Sequence, residues 1–442
     1  MDYHTLVMGT VFALISILYI IIAKICSKGS KNLPPGSSPL PIIGNLHLLG
    51  EKPHVSLANL AEIYGPIMSL KLGQLTTVFI SSSAMAKQVL QKQDLDFSTR
   101  FIPDALQHHN YSKFSMPWLP VCPQWRTLRR ILNTNLLCSS RLDANQHIRS
   151  QKVKELLAYC DKCSQEAEAV DVRQIVFKTN LNLFSYTLFS KDLVDLFPDS
   201  KRLEEKQTDH SERNDVLEMF LNHSAENPEE INQNYIKSMF LDLFIGGIDS
   251  ATSTLEWAMT EILRHPEIMK EVQTELAQVV GNGKPVEESN ISKLPYLLSI
   301  VKETLRMHPP APFLIPRRVD QDVQLCEYII PKGSQVLVNV WKIGRDSTFW
   351  EDPLVFKPER FRRSELDMRG KDFELLPFGA GRRMCPGLPL ALRLVPIMLG
   401  SMLNSFNWKL EGSTEPMNLY MEEKFGVILA KAHPLRVIPF PI

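Results

Sequence analysis

Neither sign of charge is in surplus in this sequence: 49 lysines and arginines stand against 49 aspartates and glutamates. That balance excludes the one-signed field that draws a chain to nucleic acid or another polyanion, so any electrostatic docking has to be local. Cysteine is scarce as well. Seven are present, an odd number without paired spacing, which argues against a disulfide framework and fits a reducing compartment. Internal repeats, heptads and low-complexity tracts are missing too, which excludes solenoids and fibres. What remains is a chain of 442 residues, 44% apolar, enough to bury the core of one large domain.

What is present begins with an uncharged run. Tyr3 to Ala23 carries no formal charge, and Leu6 to Ile22 is rich in Val, Leu, Ile and Phe. At ~1.5 Å per residue the run spans roughly the ~30 Å core of a bilayer. Lys24, Lys28 and Lys31 follow it and only Asp2 precedes it, so the positive-inside rule puts the body in the cytosol. A cleaved signal peptide is the alternative, but the basic start and the small-x-small site of such a peptide are lacking. Residues 1–25 therefore read as a transmembrane anchor. Residues 26–45, basic and containing Leu33-Pro34-Pro35-Gly36-Ser37-Ser38-Pro39-Leu40-Pro41, read as a stiff hinge, because proline fixes φ and restrains the residue before it. Residues 46–442 read as one domain.

Within that domain Ile67 to Leu72 and Thr77 to Ile80 flank Gly73-Gln74-Leu75-Thr76, which predicts an antiparallel hairpin. Most other segments have helical spacing. Ile268, Val272, Leu276 and Val279 recur behind Pro266, a good first helical residue, until Gly281. A longer helix is expected from about Asn232 to Arg264, central and buried. Leu388 to Leu403 is an apolar helix former, and Gln335 to Val340 a short strand. The class is mainly α with small β-sheets.

The segment most specific for chemistry is Pro377-Phe378-Gly379-Ala380-Gly381-Arg382-Arg383-Met384-Cys385-Pro386-Gly387. Its glycines permit tight turns and the close approach of a flat ligand to the backbone. The Cys385 thiolate would be favoured by the amino-terminal dipole of the next helix and by backbone N–H groups aimed at sulfur. A small buried packing thiol is the commoner fate of a lone cysteine. Against that, Phe-x-x-Gly-x-Arg-x-Cys-x-Gly arises by chance in such a chain only on the order of 10⁻⁴ times.

Three other groups of residues stand out. Trp125 and Arg129, four apart, share a helix face and offer a ring N–H and a guanidinium to one anion, or simply stack. Gly246-Gly247-Ile248-Asp249-Ser250 sets two helix-weakening glycines beside an acid and an alcohol. That pattern suits proton delivery by Asp249 and Ser250 with water, or a packing notch beside a solvent-linked acid. Glu303-Thr304-Leu305-Arg306 alone is an ordinary i,i+3 ion pair.

The cysteine segment resembles the haem-binding loop of the cytochrome P-450 family. Glu303-Thr304-Leu305-Arg306, Pro358-Glu359-Arg360-Phe361 and the glycine pair before Asp249 extend the resemblance over nearly the whole chain. Leu255-Glu256-Trp257-Ala258-Met259 and Glu423-Lys424-Phe425-Gly426 are similar to plant microsomal members, notably the geraniol 8-hydroxylase-like group. The resemblance implies the cytochrome P-450 fold behind an N-terminal anchor. It implies haem b (iron protoporphyrin IX) with the Cys385 thiolate as axial ligand, Phe378 and Gly387 in its loop, and Trp125, Arg129, Arg317 and Arg383 on the propionates. An anionic sulfur on iron favours O–O cleavage, a rule drawn from this enzyme class itself. Glu303, Arg306 and Arg360 would form a charge-paired triad bracing the loop, and His308 a structural turn. Phe114, Phe313, Ile315, Phe425 and Val427 would line the pocket.

The expected activity is an NADPH- and O2-dependent hydroxylation of a small apolar molecule, terpenoid or phenolic. The partners would be an NADPH-cytochrome reductase, docked on Arg126, Arg130 and Arg382, and membrane lipid of the endoplasmic reticulum. Two departures matter. Ser250 stands where the family usually has Thr, and the chain is several dozen residues short near Ser200-Lys201-Arg202, where the family carries two helices that roof the pocket. Two other readings stay open: a haem-thiolate isomerase or dehydratase, and a catalytically silent haem protein.

Overall fold

The computed structural model describes residues 4, 7–17, 32–197, 216–412 and 415–442. Most of residues 1–31, and the junction at Ser200-Lys201-Arg202, lie outside the described residues. Among the described residues Val7–Ile17 forms a short, exposed apolar helix.

The strands β1 (Ile67–Leu72), β2 (Leu75–Ile80), β3 (Arg317–Arg318) and β4 (Gln335–Val338) form a sheet in the order β1-β2-β4-β3. The β1–β2 hairpin is tighter than the sequence suggests. Leu72 pairs with Leu75, so the turn is only Gly73-Gln74, which Gly73 allows by its φ of +63°. Leu75 and Thr76 join the strand because each closes a further rung of the ladder. β2 and β4 run parallel, whereas β3 pairs antiparallel with β4 through Arg317 and Val336.

The proline-rich strip is docked on β1 from Pro34 onward. Pro34 O and Pro35 O accept bonds from Ser69 Oγ (2.6 Å) and Ser69 N (2.8 Å). Asn45 Oδ1 accepts from Lys71 N at 2.8 Å. A Cβ on Gly36 would lie 1.7 Å from Ser69 O, so glycine is what lets the strip lie against β1.

The helices that matter here are α1 (Pro53–Tyr64), α2 (Pro123–Asn135), α3 (Gln146–Glu166), α4 (Val172–Phe189), α5 (Val216–Glu226), α6 (Gln233–Arg264), α7 (Pro266–Val279), α8 (Pro295–Met307) and α9 (Leu388–Ser405). Asn232 caps α6, its side chain accepting from Asn234 N and Tyr235 N. The C-terminal half of α6 is buried all round, with Leu255, Trp257, Ala258, Met259 and Ile262 inaccessible and its buried acids Glu256 and Glu261 paired with Arg173 and His308. Each large apolar side chain there contributes about 1.5–3 kcal/mol by leaving water. Leu388–Ser405 is long and apolar enough to cross a membrane, but two thirds of it is inside the body: it is a core helix, packed on α6 and α8. A hairpin of β5 (Glu423–Lys424) and β6 (Ala430–Lys431) leans on α6, where Ser253 Oγ donates to Leu429 O at 2.9 Å.

Candidate functional site

The cysteine loop ends at the amino terminus of α9. Gly379 and Gly381 have φ of +67° and +70°, and a Cβ on Gly381 would meet Leu90 O at 1.9 Å. Cys385 N–H donates to Phe378 O at 2.9 Å, which closes the loop on itself. The N–H groups of Gly387 and Leu388 point at the Cys385 sulfur. Burial pushes this thiol up, while those two N–H groups and the nearby Arg129 cation pull against it. The Cβ position of Gly387 lies 3.7 Å from Sγ.

Four arginines converge beside the loop. On α2, Trp125 is buried and Arg129 Nη2 donates to Met384 O at 2.8 Å. Arg383 sits 4.9 Å from the Trp125 ring centre and donates from Nε to Ser98 O at 2.9 Å. Arg317, presented by β3, donates to Phe97 O at 2.9 Å. The fourth, Arg100, is absent from the sequence-based set. It bridges to Arg317 across strands and donates to Ile315 O (2.8 Å) and Pro117 O (3.1 Å). No spacing signal marks it, because its role arises from a contact distant in sequence.

Among the described residues none of the four has an acidic partner within ion-pair distance. Burial, then Arg383, holds Arg317 down to about 10; burial, then Arg129, does the same to Arg383. Burial also lowers Arg129, and lowers Arg100 further still with help from Arg317 and Arg383. The Arg317 Nε is buried with no partner. Clustered buried cations are costly unless an anion joins them. This donor set, beside an inward cysteine, fits a haem whose two propionates supply the missing negative charge.

The glycine pair of α6 divides its labour. A Cβ on Gly247 would strike the Phe184 ring at 2.3 Å, whereas one on Gly246 meets open space. Gly247 is thus the packing notch and Gly246 the open side. Ser250 Oγ donates to Gly246 O at 2.7 Å. Asp249 lines a cleft of about 590 Å³ between α4, α6 and the β5–β6 hairpin, and partial burial raises its carboxyl above the usual range. Of the pocket-lining candidates, Phe425 and Val427 border this cleft, with Val427 91% exposed. Phe313 packs edge-on against Phe425 instead, and Phe114 against Tyr235. Ile315 lies in the strand approach to Arg317, and its carbonyl accepts from Arg100.

Glu303 and Arg306 form a fully buried bidentate pair (2.7 and 2.8 Å), and Arg360 Nε joins at 3.0 Å. Their remaining bonds go to carbonyls of Gly344, Glu351, Asp352, Pro353 and Val355 and from Lys357 N–H. What the triad fastens directly is therefore the irregular chain ahead of the cysteine loop. His308 has both ring nitrogens engaged, by Glu261 (2.7 Å) and Glu423 (3.3 Å), and stacks on Trp257 at 3.8 Å. Of the three docking arginines, Arg126 is exposed, while Arg130 pairs with Glu230 and Arg382 with Asp94, each at 3.1 Å.

The sequence model of the family "Cytochrome P450" matches residues 34–197 and 192–437. A geraniol 8-hydroxylase of Catharanthus roseus is 55% identical over 494 aligned positions, covering 99% of each chain, and one of Swertia mussotii is 53% identical over 100% of this chain and 99% of that one. A geranylhydroquinone 3''-hydroxylase of Arnebia euchroma is 46% identical, over 100% and 99%. In fold, a zebra fish cytochrome P450 solved with abiraterone superposes with a TM-score of 0.76 over 89% of this chain and 100% of that one, at 24% identity. With the cysteine loop and the arginine cradle, these matches establish that the chain belongs to the cytochrome P450 family, as a haem-thiolate monooxygenase of the plant geraniol 8-hydroxylase-like group.

Proposed function

We propose that this enzyme hydroxylates a small apolar terpenoid or phenolic molecule, using electrons from NADPH passed through a cytochrome reductase. The observation that carries the reading is the Cys385 sulfur beneath the Gly387 and Leu388 N–H groups, beside arginines that have no acidic partner among the described residues. The names of the relatives, acting on geraniol and geranylhydroquinone, support the substrate class.

In this reading Cys385 is the axial ligand, and Trp125, Arg129, Arg317 and Arg383, with Arg100, hold the propionates. When bound, the haem supplies the reduction of dioxygen and transfer of one oxygen atom to the substrate. Asp249, with its raised carboxyl, takes protons from water in the cleft, and Ser250 passes them on from its place beside Gly246. The Glu303, Arg306 and Arg360 triad keeps the chain before the loop from shifting. Residues 1–25 anchor the body to the endoplasmic reticulum membrane, with Arg126 toward the reductase.

The roof of the pocket is shortened near residue 200. Two facts support this: the family match breaks at 192–197, and the alignment to the Catharanthus enzyme runs over 494 positions against 442 residues here. The test is the carbon monoxide difference spectrum of the reduced protein, followed by NADPH-dependent oxidation of geraniol with a plant reductase. A thiolate-type band that Cys385→Ala abolishes is expected. Retention of the band in that variant sinks the ligand assignment, and turnover of a peroxide without NADPH favours the isomerase reading.

A further inference from the structure

Asp242 stands on α6 one turn before Gly246 and two turns before Ser250, so the three share a helix face. Its carboxylate meets no cation among the described residues. It collects donors from one irregular segment instead. Tyr111 Oη and Ser115 Oγ (2.7 Å) both donate to Oδ1, and Met116 N–H donates to Oδ2 at 3.1 Å. Burial, only partly offset by these donors, lifts its carboxyl to about 6.

The same segment is tied at its far end to the arginine cradle. Pro117 O accepts from Arg100 at 3.1 Å, Met116 O from Arg383 at 3.4 Å, and Leu119 O from Arg383 as well. An anion drawn to those arginines competes with the carbonyls for the same N–H groups. The Asp242 end is the fastening that does not depend on whether the cradle is filled. A carboxylate buried without a counter-cation is a poor way to add stability, but three convergent donors select one loop conformation over its neighbours.

We infer that Asp242 is a positioning residue, which pins the Tyr111–Leu119 segment, and Phe114 on it, against the helix that presents Ser250, and so sets where the substrate rests. The inference rests on the hydroxylase reading only for its turnover measurement. Asp242→Asn keeps the oxygen that faces Tyr111 and Ser115 but sets an NH2 group against Met116 N–H, so it breaks one contact selectively.

In the haem-loaded full chain, hydrogen exchange over residues 111–119 should quicken about tenfold in Asp242→Asn, with the thiolate-type carbon monoxide band unchanged. For geraniol, KM should rise about tenfold with kcat altered less. Tyr111→Phe, which removes one donor and leaves the carboxylate, should quicken exchange in the same segment by a smaller factor. Exchange that is unchanged in both variants overturns the inference, as does a rise spread evenly over the molecule. If the wild type leaves geraniol untouched, the substrate assignment fails while the exchange measurement still decides the role of Asp242.

Discussion

His308 shows how much one side chain can carry without touching the reaction. Burial depresses its pKa, but the hydrogen bonds and charges of Glu261 and Glu423 more than offset that, and it ends above the ordinary 6.5. Glu423 moves the other way. Burial favours its neutral form, yet His308, His54 and Arg345 hold it well below 4.5. The His308 contribution to stability is thus fully present below about pH 6.5 and is lost as pH rises through its higher folded value. That of Glu423 is present above about pH 4.5 and lost in stronger acid. The urea midpoint of the wild type should therefore fall as pH rises above about 6.5, whereas His308→Gln should start lower and stay flatter; parallel curves would remove His308 from the balance. The sequence identified His308 as structural but not its partners, since Glu261 and Glu423, and the His54 that shares Glu423, come from separate elements. Arg100 escaped for the same reason. Cys385 and its glycines were legible because the residue pattern of the loop is local, with Cys385 N–H bonded back to Phe378 O and positive φ at Gly379 and Gly381, although Leu90, Ser98 and Arg129, which pack on it, come from far along the chain.

At the level of elements, α6 was readable almost to the residue, because Asn232 is a strong cap and no proline interrupts the chain until Pro266 opens the next helix. The β1–β2 turn was less so: Leu75 and Thr76 fit a loop or a strand, and pairing across the ladder decides. The docking of Pro34–Gly44 could not be read from composition, which marks stiffness but not what lies alongside. A consequence for chemistry sits on α6. Ser250 spends its hydroxyl hydrogen on Gly246 O, an i−4 bond that a freely rotating serine can leave. Ser250→Ala should lower product formation on the order of 10²-fold and raise peroxide release at equal NADPH consumption. Ser250→Thr adds a methyl that restricts χ1 and should raise product per NADPH above the wild type. Equal product yields in all three proteins would take Ser250 out of the proton path.

For the whole molecule, two surfaces matter. Arg126 is exposed and has no acidic partner among the described residues, whereas Arg130 is paired with Glu230. Arg126→Glu should slow the first electron transfer more than Arg130→Glu does, and the salt dependence of the step should flatten, as screening over ~8 Å predicts. Identical kinetics in stopped-flow reduction would move the docking site elsewhere. Elsewhere Leu241 and Ile245, one turn apart on α6, are exposed, and so is Val427 at the tip of the β5–β6 hairpin; exposed apolar side chains of this kind are commonly covered by other chain. A wet pocket favours wasted electrons over product. Grafting the corresponding segment of a full-length relative between Phe197 and Val216 should raise product per NADPH severalfold, and a ratio that does not move would show that this surface needs no lid. The Pro34–Gly44 strip has a mechanical meaning beyond all of this. A tether that enters along the edge of a sheet loads its hydrogen bonds together, in shear, so a tug on the residues before it is shared by Ser69, Lys71 and Gly73 at once. Such a joint yields only at the rate of the barrier to tearing the sheet, so a pull from the residues before it does not unravel the body from its end.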